Sequence, residues 1–114
     1  MVFLMTPTDL SDYKNIYLQT AKEYINNLSM GYSKLSVNPS DNDAINTIHI
    51  SSHSLRSQSQ VMGFSAIADL SGNIEKASSD VLNKVSLVDE KFMNLLKNSV
   101  DGLTAELSKI EKTQ

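Results

Sequence analysis

Residues 6–35 read TPTDLSDYKNIYLQTAKEYINNLSMGYSKL, and their periodicity decides the fold class. Thr6-Pro7-Thr8-Asp9 supplies a side-chain acceptor for an N-cap, a proline suited to the first helical position and an acid in the first turn, where the helix dipole favours negative charge. Behind this start, Leu10, Tyr13, Tyr17, Ala21, Tyr24, Leu28 and Leu35 recur at helical steps. They form the stripe of an amphipathic helix over about residues 8–35. The tyrosines read as core-edge residues with wet hydroxyls.

Outward from this helix, residues 36–42 form a polar break around Pro39, and Ser40-Asp41-Asn42-Asp43 offers caps for a second helix that runs to Met62 and stops at Gly63. A third helix is expected from Phe64, carrying Ile67, Leu70, Ile74 and Ala77 inward before the polar Ser78-Ser79-Asp80. Residues 81–85 suit either a short extra helix or a loop. Ser86-Leu87-Val88-Asp89 resembles a capping box with aspartate in place of glutamate, opening a last helix with Val88, Phe92, Leu95, Leu96, Leu103, Leu107 and Ile110 on its stripe. The pattern predicts an all-α chain, an antiparallel up-and-down four-helix bundle with room for a short extra helix before the last one, as a single domain over residues 1–114.

Composition narrows the function classes. Cysteine is absent, which excludes disulfides, thiolate metal sites and cysteine nucleophiles. A formal net charge of −3 with mixed signs, and no tryptophan, argues against a nucleic-acid binder. The apolar start Met1-Val2-Phe3-Leu4-Met5 is too short for a signal peptide or a membrane span, so no membrane association and a cytoplasmic location are expected. The apolar stripes are accounted for internally, which points to a monomer.

The second helix carries the unusual feature, because residues 51–60 are almost entirely polar although they fall in the middle of a bundle. A helical wheel puts Ala44, Ile48, Leu55 and Met62 on an inward side. Asn46, His49, His53, Arg56, Ser57 and Gln60 gather on a solvated face centred on His53. The serine run conflicts with helix propensity, and local conflict of that kind is expected at functional sites. A neutral imidazole is a good nucleophile near neutral pH, and the N–P bond it forms is labile enough to pass a phosphoryl group on.

The run His53-Ser54-Leu55-Arg56-Ser57 followed by Gly63-Phe64 resembles the phosphoacceptor signature of histidine phosphotransfer domains. It is most similar to the N-terminal phosphotransfer domain of the chemotaxis kinase CheA, with its pattern H-[ST]-[LI]-K-G and a later G-F. Specific motif information extends from His53 to Ile74-Glu75. The resemblance implies that His53 is the phosphoacceptor, that Glu75 holds a proton on Nδ1 and so frees Nε2 to attack phosphorus, and that Arg56, in the place of the family lysine, offsets phosphoryl charge. It further implies partners of two kinds, a histidine kinase catalytic domain and a response-regulator receiver domain, docking over His49, Ser57, Gln60 and Gly63. No cofactor of its own is implied, since magnesium and ATP belong to the partner domains. Ser57 stands where the family usually has glycine, and Gly72 where some CheA proteins have a second histidine.

Other readings stay open beside this one. A non-catalytic scaffold or inhibitor of a receiver or kinase would keep the fold and lose the transfer. His49 is by itself an ordinary surface histidine. The spacing of His49 and His53 would also suit one metal ion, although no Glu follows His49 and two ligands rarely suffice, so no metal site is expected.

Overall fold

A computed structural model describes residues 7–113, with side chains from residue 12 onward. The expected Thr6 cap, the apolar start and the side chains of Thr8, Asp9 and Leu10 lie outside the described part. Four helices follow one another: α1 (Pro7–Val37), α2 (Asn42–Met62), α3 (Ser65–Leu82) and α4 (Glu90–Lys112). Each packs on two neighbours, α1 on α2 and α4, and α3 on α2 and α4, while among the described residues the diagonal pairs make no close backbone approach. Short connections reverse the chain each time, giving the expected up-and-down bundle.

The core takes Tyr17, Ala21, Leu28 and Leu35 from α1, Ile45, Ile48 and Leu55 from α2, Ile67 and Ile74 from α3, and Phe92, Leu96, Leu103 and Leu107 from α4. Each fully buried aliphatic side chain contributes about 1.5–3 kcal/mol relative to exposure. Tyr13, expected on the inward stripe, is exposed instead, and Ile25 takes a core place. The hydroxyl of Tyr17 is not wet either, since it shares a hydrogen bond of 2.7 Å with buried Ser59.

Helix ends follow local hydrogen-bond supply. Asp41 caps α2 by accepting from the Ala44 amide at 3.0 Å. Gly63 ends it with φ 80°, a left-handed turn that costs glycine nothing, and the amides of Gly63 and Phe64 reach the carbonyls of Gln60 and Ser59. Beyond this point the structure departs from one expectation and decides between two others. Ser78-Ser79-Asp80 does not break α3, because Ser78 Oγ donates to the Ile74 carbonyl at 2.8 Å and is satisfied inside the helix. Of the two readings of residues 81–85 the loop holds and the extra helix does not form: α3 runs to Leu82, Lys84 turns left-handed at φ 61°, and the amides of Val85 and Ser86 both fold back onto the Asp80 carbonyl. The cap of α4 is Asp89 and not Ser86, with Asp89 Oδ1 accepting from the Phe92 amide at 2.9 Å.

The serine run of α2 has a structural cause as well. Ser51, Ser52 and Ser59 point inward, joined by Ser71 and Ser78 of α3 and Ser99 of α4. Ser52 and Ser59 lie seven residues apart, as do Ser71 and Ser78, so each helix alternates large and small residues along one face. Ser52 and Ser71 donate to their own helices, to the carbonyls of His49 and Ile67, which removes the penalty of burying a hydroxyl. Short side chains let α2 and α3 lie close, and theirs is the most extensive helix pairing in the bundle.

Candidate functional site

That close pairing sets the register of the site. Side chains meet across α2 and α3 in antiparallel order, His49 with Ser78, His53 with Glu75 and Arg56 beside Gly72. His53 sits near the middle of α2 on its outer side, with its side chain 57% exposed, whereas the Glu75 side chain is 15% exposed. The nucleophile candidate is open to solvent and its carboxylate partner is sheltered.

His53 Nδ1 lies 2.6 Å from Glu75 Oε2. A carboxylate only accepts hydrogen bonds, so the proton between them belongs to Nδ1, and a neutral ring must then carry its lone pair on Nε2. Arg56 Nη1 stands 2.9 Å from the other carboxylate oxygen, Oε1. This contact is an ion pair without hydrogen-bond alignment, and Arg56 Nε is buried with no acceptor among the described residues. Glu75 is thus held on both oxygens, by an imidazole and by a guanidinium.

Gly72 explains how the arginine gets there. A Cβ at position 72 would come within 3.3 Å of Arg56 Cδ, so the absent side chain leaves the lane along which the arginine stem runs. The sequence placed Arg56 opposite an incoming phosphoryl group. In the structure its partner is Glu75, a contact that only the register of the two helices reveals.

The remaining face residues divide. His49 is half-buried and its Nδ1 lies 3.2 Å from Ser78 Oγ. Ser57 is half-buried and Gln60 is exposed, one and two turns beyond His53 on the same side of α2. Gly63 is the helix terminus, about 15 Å along the axis from His53, and is not brought to the site. On the side of α2 away from α3, Ser57 joins Tyr13, Ile16, Gln58, Val61 and Met62 around an apolar groove shared with α1. Sequence reasoning named Ser78 only as a helix end and Gly72 only as the place of a second histidine in some relatives, and gave neither a part in the site. Their signal was the small residue one turn to either side of Glu75.

Comparison with known proteins follows the same lines. A family model described as an Hpt domain matches residues 12–110. The chain is similar to the chemotaxis protein CheA of Halobacterium salinarum, 23% identical over 104 residues that cover 91% of this chain and 16% of that protein. It is also similar to the chemotaxis protein CheA of Listeria monocytogenes, 24% identical over 97 residues, 85% of this chain and again 16% of the relative. The chain therefore spans 16% of the length of these curated relatives. Among solved structures it matches the CheA phosphotransferase domain from Thermotoga maritima with a TM-score of 0.83 and 27% identity, covering 89% of this chain and 96% of that one. A computationally redesigned four-helix bundle matches with a TM-score of 0.80 and 25% identity, over 87% of this chain and 97% of the other.

Proposed function

The chain belongs to the Hpt domain family, and we propose that it is a phosphorelay intermediary in two-component, chemotaxis-type signalling, with His53 as the phosphoacceptor. The observation that carries this reading is the 2.6 Å contact between His53 Nδ1 and Glu75 Oε2, made while the rest of the ring faces water. Nε2 attacks the phosphorus of ATP held by a kinase catalytic domain, or of an aspartyl phosphate on a receiver. A P–N bond forms as the P–O bond to the leaving group breaks. The imidazole becomes cationic as it gains the phosphoryl group, and the Glu75 carboxylate on Nδ1–H offsets that charge. Reversal of the step onto a receiver aspartate discharges the domain.

Arg56 has two tasks in this scheme. At rest it holds Glu75. Its buried, unpartnered Nε makes that arrangement an imperfect one, and the oxygens of a phosphoryl group on Nε2 offer better acceptors. The partner domains bring magnesium and ATP, and no cofactor is assigned to this chain. His49, Ser57 and Gln60 flank His53 on the docking face, with Gly63 shaping its far edge. The working unit is a monomer in the cytoplasm; among the described residues no helix is long and apolar enough to cross a membrane.

Incubation with a CheA-type kinase core and radiolabelled ATP tests the assignment. The expected product is an acid-labile, base-stable phosphate that is lost in His53→Gln and still formed in His49→Gln. A phosphate that never forms on the folded domain would refute the phosphoacceptor role and leave the scaffold or inhibitor, a role kept open by Ser57 at the family's glycine position.

A further inference from the structure

His49 lies one turn before His53 on the same continuous helix, and its Nδ1 likewise contacts a residue of α3. Ser78 Oγ is within bonding distance of the Ile74 and Glu75 carbonyls, at 2.8 and 3.0 Å. Its one proton is committed to those carbonyls, so toward His49 Nδ1 the hydroxyl is an acceptor and Nδ1 is the donor. A neutral His49 therefore carries its lone pair on Nε2, as His53 does. Nε2 of His49 makes no hydrogen bond among the described residues and is not buried. Both rings direct Nδ1 toward α3, and both leave Nε2 as the unengaged nitrogen.

We propose that His49 and His53 form a two-nitrogen chelate for a divalent transition cation of the zinc class. Residues four apart on a helix have Cβ atoms about 5–6 Å apart. Two nitrogens at about 2.0–2.1 Å from a tetrahedral ion lie about 3.3 Å from each other, so binding requires the two Nε2 atoms to be drawn together by side-chain rotation. The surroundings resemble the support that metal-binding histidines receive, with a carboxylate on one Nδ1–H and a hydroxyl on the other, fixing the tautomer and raising ligand basicity. Arg56 does not oppose the ion with a free charge, because it is paired with Glu75. Among the described residues no group of three or more His, Cys, Asp or Glu side chains is arranged for a metal, so water fills the other positions. Such a site binds reversibly and does not hold the fold together.

One consequence rests on the phosphoacceptor reading, while the chelate itself does not. The ion occupies the Nε2 lone pair that phosphoryl transfer uses, so metal and phosphate exclude each other. Bound zinc caps the domain in its unphosphorylated form.

Zinc chloride titrated into the domain alone, followed by calorimetry and by the imidazole NMR signals, tests the chelate. The expected result is one zinc per chain, shifts in the signals of both rings, and affinity at least about tenfold weaker in His49→Gln and in His53→Gln, about 1.4 kcal/mol each. Unchanged affinity in either variant, or no binding by the wild-type chain, overturns it. Labelling by phosphoramidate, which transfers phosphoryl to imidazole with loss of ammonia and needs no kinase, tests the consequence. Zinc is expected to suppress labelling of the wild-type chain reversibly with EDTA, and to lose that effect in His49→Gln relative to the same variant without zinc. A zinc-free domain that is never labelled would refute the phosphoacceptor reading and leave the calorimetric result standing.

Discussion

Helix α2 makes two short hydrogen bonds to its neighbours, one on each side, and their surroundings are opposite. Toward α1, Tyr17 and Ser59 share a 2.7 Å bond between residues that are 4% and 0% exposed. Burial pushes the Tyr17 phenol above its ordinary value, partly countered by the bond to Ser59. Toward α3, His53 and Glu75 make a bond of 2.6 Å with the imidazole largely in water. The buried bond joins two neutral groups and leaves neither free, so its effect is on stability. The exposed bond engages one nitrogen of a ring and leaves the other open, so its effect is on reactivity. Burial, more than bond length, separates a structural bond from a chemical one.

The comparison breaks first at Leu55, which is fully buried between the two bonds along α2. Leu55→Ala is expected to cost about 2–5 kcal/mol in urea unfolding, since the methyl groups removed leave a cavity in a close-packed seam. Glu75→Ala acts on one side only. Labelling of His53 is expected to slow at least about tenfold, about 1.4 kcal/mol of barrier, while the far-UV spectrum and the unfolding midpoint stay close to those of the wild type. Unchanged labelling would remove the proposed role of Glu75.

Tyr17→Phe acts on the other side. It is expected to lower stability by about 1 kcal/mol and leave the labelling rate alone. The smallest effect is in pH. The folded pKa of Tyr17 is raised above 10.0, so the fold favours the neutral phenol. That contribution is present in full below the unfolded value and is lost as pH rises through the folded one. The wild-type stability advantage over Tyr17→Phe should therefore hold while pH stays well below 10.0 and shrink as pH rises past it, as measured by urea midpoints. An advantage that grows over that range would reverse the sign assigned to burial.

Much of the fold was legible because the determining signals are local. The stripes of α1 and α4, the stop at Gly63 and the polar break before Asp41 each depend on a few adjacent residues. The inward serines were not legible in the same way. A serine bonded to its own helix carbonyl, as Ser71 is to Ile67, loses the penalty that usually keeps polar residues out, so its polarity says nothing about its exposure. For that reason the inward place of Ser51, Ser52 and Ser59 in the run around His53 went unassigned, and Ser78 read as a helix end. The pairing of His53 with Glu75 was anticipated through the resemblance of the motif. The grip of Arg56 on Glu75, and the lane that Gly72 leaves for it, depend on the lateral register of two helices, which no single-helix pattern encodes.

The central claim is that Glu75 holds a proton on His53 Nδ1 and leaves Nε2 as the reactive nitrogen. Long-range nitrogen–proton NMR of the neutral imidazole reports the tautomer directly. The expected spectrum shows His53 protonated on Nδ1, shifting toward a mixture of tautomers in Glu75→Gln. A wild-type ring protonated on Nε2 would contradict the claim.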